Sequence, residues 1–177
     1  MSPRRAPCVP LARERLSPAL LAELYELEED GYRVALREAR RIRSGPPAAA
    51  LRAVVAHAGE SLEEIPELAR ARGVRLGGVS ALALDTLRRL GDALLASLVD
   101  HDHAYRRALT ALRRGVDLVR LTRAAALDEG DERLAVWCRR WLGVRERLVA
   151  ETADELEWFA RHPFFARLPA TPLASTS

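Results

Sequence analysis

A chain of 177 residues suits one domain and is long enough to bury a sizeable core. Hydrophobic residues are 49% and charged residues 30%, a globular balance, while 5% aromatics is low for a large β-sandwich or barrel, and no run approaches the roughly 18 apolar residues of a membrane span. The charge is +3, with 28 basic and 25 acidic residues, but every basic residue is Arg, interleaved with Glu, which reads as compositional bias and argues against a nucleic-acid-binding face.

Residues 1–16 contain three prolines and mixed charge and read as a flexible N-terminal arm. Arg4-Arg5 is followed by no apolar stretch that would make a secretory signal, so a cytoplasmic location is expected. Ser17-Pro18 predicts a helix start, with Ser as N-cap and Pro in the first turn. The first helix is expected from Pro18 to Arg43, on the stripe Leu20, Leu21, Leu24, Leu27, Gly31, Val34, Ala35, Ala39 and Ile42. Gly45-Pro46-Pro47 stops it. The second helix starts near Pro47 and buries Leu51, Val54, Val55, Ala58, Leu62 and Ile65. Pro66 either kinks or ends it. A glycine-marked loop follows at Gly73, Gly77 and Gly78.

A short helix is expected at 80–90, then a third main helix at 92–113, begun by Asp92 and ended by Gly115. Its basic run from Arg113 to Arg123 is broken by Asp117. Another short helix is placed at 117–127. The fourth helix runs from Asp131 to Arg161, with Leu134, Trp137, Trp141, Leu148, Thr152, Leu156 and Phe159 inward. Cys138 reads as a small core residue there, and Cys8 is too distant to make a metal motif with it. Residues 163–177 read as a flexible C-terminal tail, leaving 17–162 as the folded unit.

Four long amphipathic helices predict an all-α fold, a four-helix bundle. A helix of 26 residues is about 39 Å long. If the second helix reached Arg72, the loop Gly73 to Val79 would span only about 24 Å, and the second and third helices would be antiparallel. If it ended near Pro66, the stretch to Asp92 would cross the whole bundle and make them parallel.

The crossover reading resembles the ferritin-like superfamily, and within it bacterial members of unknown function. The residues that carry the resemblance are Asp30-Gly31-Tyr32 with Ala35 and Glu38-Ala39, then Gly77-Gly78, then Asp92-Ala93-Leu94-Leu95, Asp100-His101 and Tyr105 to Leu109. The resemblance covers about residues 19–160. It implies a core site for two metals, of iron or manganese type, with a Glu from each of two helices and a Glu-x-x-His from each of the other two. No Glu-x-x-His occurs here, and the second helix carries the reverse order, His57-Ala58-Gly59-Glu60. That departure favours a degenerate metal site and no cofactor.

Residue phase selects the candidates. Glu28, His57, Glu60 and His101 are the metal-ligand set to test, although His57, at the edge of the second-helix stripe, reads first as a core-edge histidine hydrogen-bonded across the bundle. Within Asp100-His101-Asp102-His103, successive residues turn about 100°, so His101 faces inward and His103 outward, and one metal cannot take both. Glu28, Arg145 and Glu155 interrupt apolar stripes, and a buried charge needs a partner. Glu28, His101 and Arg145 are therefore expected to form a polar layer in the core, with the Arg head replacing a cation. Solvent-reaching side chains are the competing reading.

Three functions follow, in order. The first is a non-enzymatic ferritin-like bundle acting through a protein partner or as a homo-oligomer, without nucleic acid or membrane. The second is a di-iron or di-manganese oxidative or stress protein. The third is a histidine phosphotransfer bundle using His57, against which the acidic Glu60 would repel a phosphoryl group. The C-terminal aromatics Trp137, Trp141, Trp158, Phe159, Phe164 and Phe165 supply core anchors, with Trp158 as a candidate association residue.

Overall fold

The computed structural model describes residues 15–76 and 100–167. Helix α1 spans Ser17–Ile42 and α2 spans Pro46–Arg70. Helix α3 spans His101–Asp128, α4 Glu132–Asp154, α5 Leu156–Arg161 and α6 Pro163–Ala166. The chain is all-helical among the described residues. No helix among them is long and apolar enough to cross a membrane. The expected helix at 80–90, Gly77-Gly78 and the crossing segment lie outside the described residues, as do most of the N-terminal arm and residues 168–177, while the third helix expected from Asp92 begins instead at His101, after an extended Asp100.

Helix α1 starts where Pro18 was expected to start it, but Ser17 does not cap it. The Ser17 hydroxyl donates instead to Glu129 Oε2 at 2.6 Å, and the Leu16 and Ser17 amides donate to Glu129 Oε1 at 2.7 and 3.0 Å. A carboxylate from beyond the end of α3 therefore meets the positive end of α1. These bonds outweigh its desolvation and hold the Glu129 pKa low. The α1–α2 turn needs Gly45, whose φ is +99°, and a side chain there would also meet Trp158 at 3.7 Å.

Pro66 lies inside α2, which continues past it to Arg70. Two sequence expectations are corrected nearby in the fold. Gly115 does not end a helix: α3 runs through it without a break to Asp128, joining the two helices expected at 92–113 and 117–127. The isolated cost of a helical glycine is only about 1 kcal/mol, and tertiary packing overrides it. The expected single helix from Asp131 to Arg161 is divided at Glu155 into α4 and α5. Asp131 caps α4 by accepting from the Leu134 amide at 3.0 Å.

The four long helices pack in the cyclic order α1, α2, α4, α3. Short turns make α1–α2 and α3–α4 antiparallel. The Glu129 contact joins the end of α3 to the start of α1. Arg72 joins the end of α2 to the start of α4 through a two-pronged contact with Asp131 at 2.6 and 2.7 Å. All neighbours are thus antiparallel, and the diagonal pair α2 and α3 runs in the same direction.

The apolar core falls into two clusters. One holds Leu20, Leu21, Leu24, Ile65, Leu134 and Trp141. The other holds Ala35, Ala39, Leu51, Val54, Tyr105 and Phe159. Glu28, His57 and Arg145 fall between the two clusters along their helices. Tyr105 and Thr152 close the second cluster through a hydroxyl-to-carbonyl bond of 2.9 Å.

Candidate functional site

Glu28 lies one turn beyond Leu24 on the inward stripe of α1, and Arg145 lies one turn beyond Trp141 on α4. Helix phase alone therefore drives both charges into the core. The side chains are 3% and 2% exposed, which excludes the reading that they reach solvent. Arg145 Nη2 donates to Glu28 Oε2 at 2.5 Å. Arg145 Nε donates to His57 Nδ1 at 3.1 Å. The guanidinium carbon stands 4.7 Å from the centre of the Trp141 ring, a cation–π distance. Three helices, α1, α2 and α4, thus fix one cation.

The fourth helix, α3, presents Gly115 to this layer. A Cβ on Gly115 would meet Trp141 at 3.7 Å and Glu28 Oε1 at 3.8 Å. These are ordinary contact distances, so α3 passes close to both the carboxylate and the indole at this level.

Burial raises the Glu28 pKa and Arg145 pulls it back, while the same burial lowers that of Arg145. The His57 pKa is lowered to about 4, first by burial and then by the Arg145 charge. Because Arg145 Nε is the donor, Nδ1 of His57 must carry the lone pair, which leaves the ring proton on Nε2. The indole Nε1 of Trp141 is buried without a hydrogen-bond partner.

The remaining candidates stand apart from this cluster. Glu60 is exposed. His101 opens α3, where Glu38, Arg41 and Asp100 are its charged neighbours. Glu38 lies ten positions beyond Glu28 on α1, about 15 Å along the axis. The layer is therefore built from Glu28, Arg145 and His57, and His101 belongs to the other end of the bundle. Burial lowers the His101 pKa, and its Nδ1 has no partner. His57, at the edge of its stripe, is the core-edge histidine hydrogen-bonded across the bundle that the sequence favours, with Arg145 on α4 as its partner.

A two-metal centre does not fit these residues. Glu28 and His57 already serve Arg145, whose fixed charge stands beside both. Among the described residues, no three His, Cys, Asp or Glu side chains come together. Cys138 is fully buried, and burial pushes its thiol up to about 12, so it packs as a small apolar group.

Two features were not foreseen from sequence. Glu38 is a second buried carboxylate on α1, 1% exposed. It accepts from Arg37 Nε at 2.9 Å and Arg41 Nη1 at 3.1 Å. Its place on the Ala35–Ala39–Ile42 stripe was the available signal. Trp158 stacks on His162 with ring centroids 4.1 Å apart, meets Phe159 edge-on at 5.3 Å and lies 5.6 Å from Phe165, so it anchors the α5–α6 junction more than it faces outward. Phe164 remains 75% exposed.

Among the described residues, the fold and its central layer define an all-helical architecture with a buried Arg–carboxylate pair at mid-height. Compared with protein-family models, curated proteins and solved structures, the chain matches none.

Proposed function

We propose that this chain is a ferritin-like four-helix bundle with a degenerate metal site, and that it acts without catalysis, by association with a protein partner or with itself in the cytoplasm. The observation that carries this reading is Arg145. Its guanidinium, held between Glu28 and His57, supplies inside the core the positive charge that a carboxylate there demands. A parallel α2 and α3 on one diagonal support the ferritin-like connection, since α2 ends and α3 begins at opposite ends of the bundle.

The test is metal content. Protein purified without chelator or affinity tag is loaded anaerobically with Fe(II) or Mn(II), desalted and analysed for metal. No stoichiometric metal is expected. Two tightly held ions per chain, lost in Glu28→Gln or His57→Ala, would overturn the reading in favour of an oxidative metalloprotein.

A further inference from the structure

Helices α2 and α4 meet along a seam that is not fully closed. Two cavities lie along it. One, of about 290 Å³, is lined by Glu64, Glu67, Leu68, Arg133, Val136 and Trp137. The other, of about 190 Å³, lies beside His57, Glu60, Ser61, Trp141 and Val144. Glu64 and Arg140 border both, and together the cavities make a groove floored by Leu68, Trp137 and Trp141 beside His57 and Ser61, with charged walls.

The walls have opposite sign. Exposed Glu60 and Glu67 line the α2 side, and exposed Arg133 and Arg140 line the α4 side. One pair closes across the groove, Arg140 Nη2 to Glu64 Oε2 at 2.6 Å, and Glu64 also accepts from Trp137 Nε1 at 2.6 Å. Among the described residues, Glu60, Glu67 and Arg133 make no ion pair. Val136, 53% exposed, stands on the rim between these charges.

We propose that this groove is a two-fold interface between copies of the chain. The inference rests on the association reading above and names its partner. Charge decides the arrangement. A two-fold axis along the groove sets the acidic α2 wall of each copy against the basic α4 wall of the other. An axis across the groove would set like charges together. In the favoured arrangement the groove floors of both copies face each other across the axis, inside two rows of opposed charges, and Val136 of each copy faces the α2 wall of the other. This is an apolar centre with a polar rim, the common anatomy of an isologous interface.

Sedimentation of the full chain across a concentration series tests it. A dimer is expected at low salt, with association weakened about tenfold at high salt, since rim charges are screened. Arg133→Glu should weaken dimerisation about tenfold or more by facing Glu67, and the added change Glu67→Arg should restore it. Val136→Asp is a second disrupting variant, and circular dichroism confirms that each variant folds. A chain that is monomeric at every concentration would overturn the proposal. So would a dimer indifferent to the charge reversals, which would point to another face such as Phe164 and Phe165. Metal content separates this failure from that of the functional reading. A monomer without metal sinks only the interface, whereas stoichiometric metal sinks the reading whatever the oligomeric state.

Discussion

Helix α1 buries two carboxylates, and they are partnered in opposite ways. Glu38 is held by Arg37 and Arg41 of its own helix. Glu28 is held by Arg145, 117 positions away on α4. The first pairing needs only one helix. The second exists only when α1 and α4 lie across the core with the correct faces turned inward. A local pair neutralises a charge, whereas a diagonal pair also specifies which helix faces which. The cost differs too, because Arg37 is 38% exposed and keeps part of its hydration, while Arg145 keeps almost none.

The largest expected effect follows from that contrast. Arg145→Ala leaves the Glu28 carboxylate buried without a cation and should cost about 3–5 kcal/mol in chemical denaturation. Replacing both partners, Glu28→Leu with Arg145→Met, should recover most of that loss, because the two desolvation costs vanish together. If Arg145→Ala costs less than about 1 kcal/mol, the pair is not buried in solution as described. Arg41→Ala makes the comparison quantitative. Glu38 keeps Arg37, so the expected loss is about 1.5–3 kcal/mol, the scale of one hydrogen bond to a charged group. Equal losses at the two sites would refute the distinction between local and diagonal pairing.

A third difference is pH dependence. The folded pKa of His57 is about 4, against 6.5 for the free side chain. Between these values the unfolded chain binds a proton that the folded chain refuses. The contribution of His57 to stability is therefore complete above pH 6.5 and is lost as pH falls towards 4. The ring is partly exposed, so solvent screening reduces the effect to on the order of 1 kcal/mol. His57→Gln can still accept from Arg145 but cannot titrate. Denaturation midpoints of this variant should be flatter than wild type over that range, and parallel curves would remove His57 from the layer.

The same contrast explains what could be read from sequence. The apolar stripes place most helix bodies, and Glu28 and Arg145 stand out because charges interrupt those stripes. Their pairing has no local signature, since nothing along the chain marks that Glu28 and Arg145 face each other. His101 was the natural third member by phase, but phase says which side a residue faces and not at what height it lies. His57 stands at the correct height. Glu38 has the reverse problem. Its Arg41 partner is visible at i+3, but an acid so close to Arg residues reads as a surface pair until packing shows otherwise. The break at Glu155 is equally silent, because no Gly or Pro marks it.

Gly115 carries the smallest effect and the finest distinction. Its backbone is ordinary helix, so alanine there should gain about 0.5–1 kcal/mol through reduced freedom of the unfolded chain, if the added methyl fits. The nearest atoms, at 3.7 Å on Trp141 and 3.8 Å on Glu28 Oε1, are at normal contact distance. The methyl would, however, lie against a carboxylate oxygen that does not bond Arg145 in this arrangement. Filling that space with an apolar group makes the charge harder to bury. A net change between zero and a gain of about 0.5 kcal/mol is therefore expected for Gly115→Ala in chemical denaturation. A loss above about 1 kcal/mol would mean that Oε1 depends on polar solvation at that point. The glycine would then serve the charge directly rather than only lying against Trp141. In the Glu28→Leu, Arg145→Met background that loss should disappear, which assigns it to the carboxylate and not to the indole.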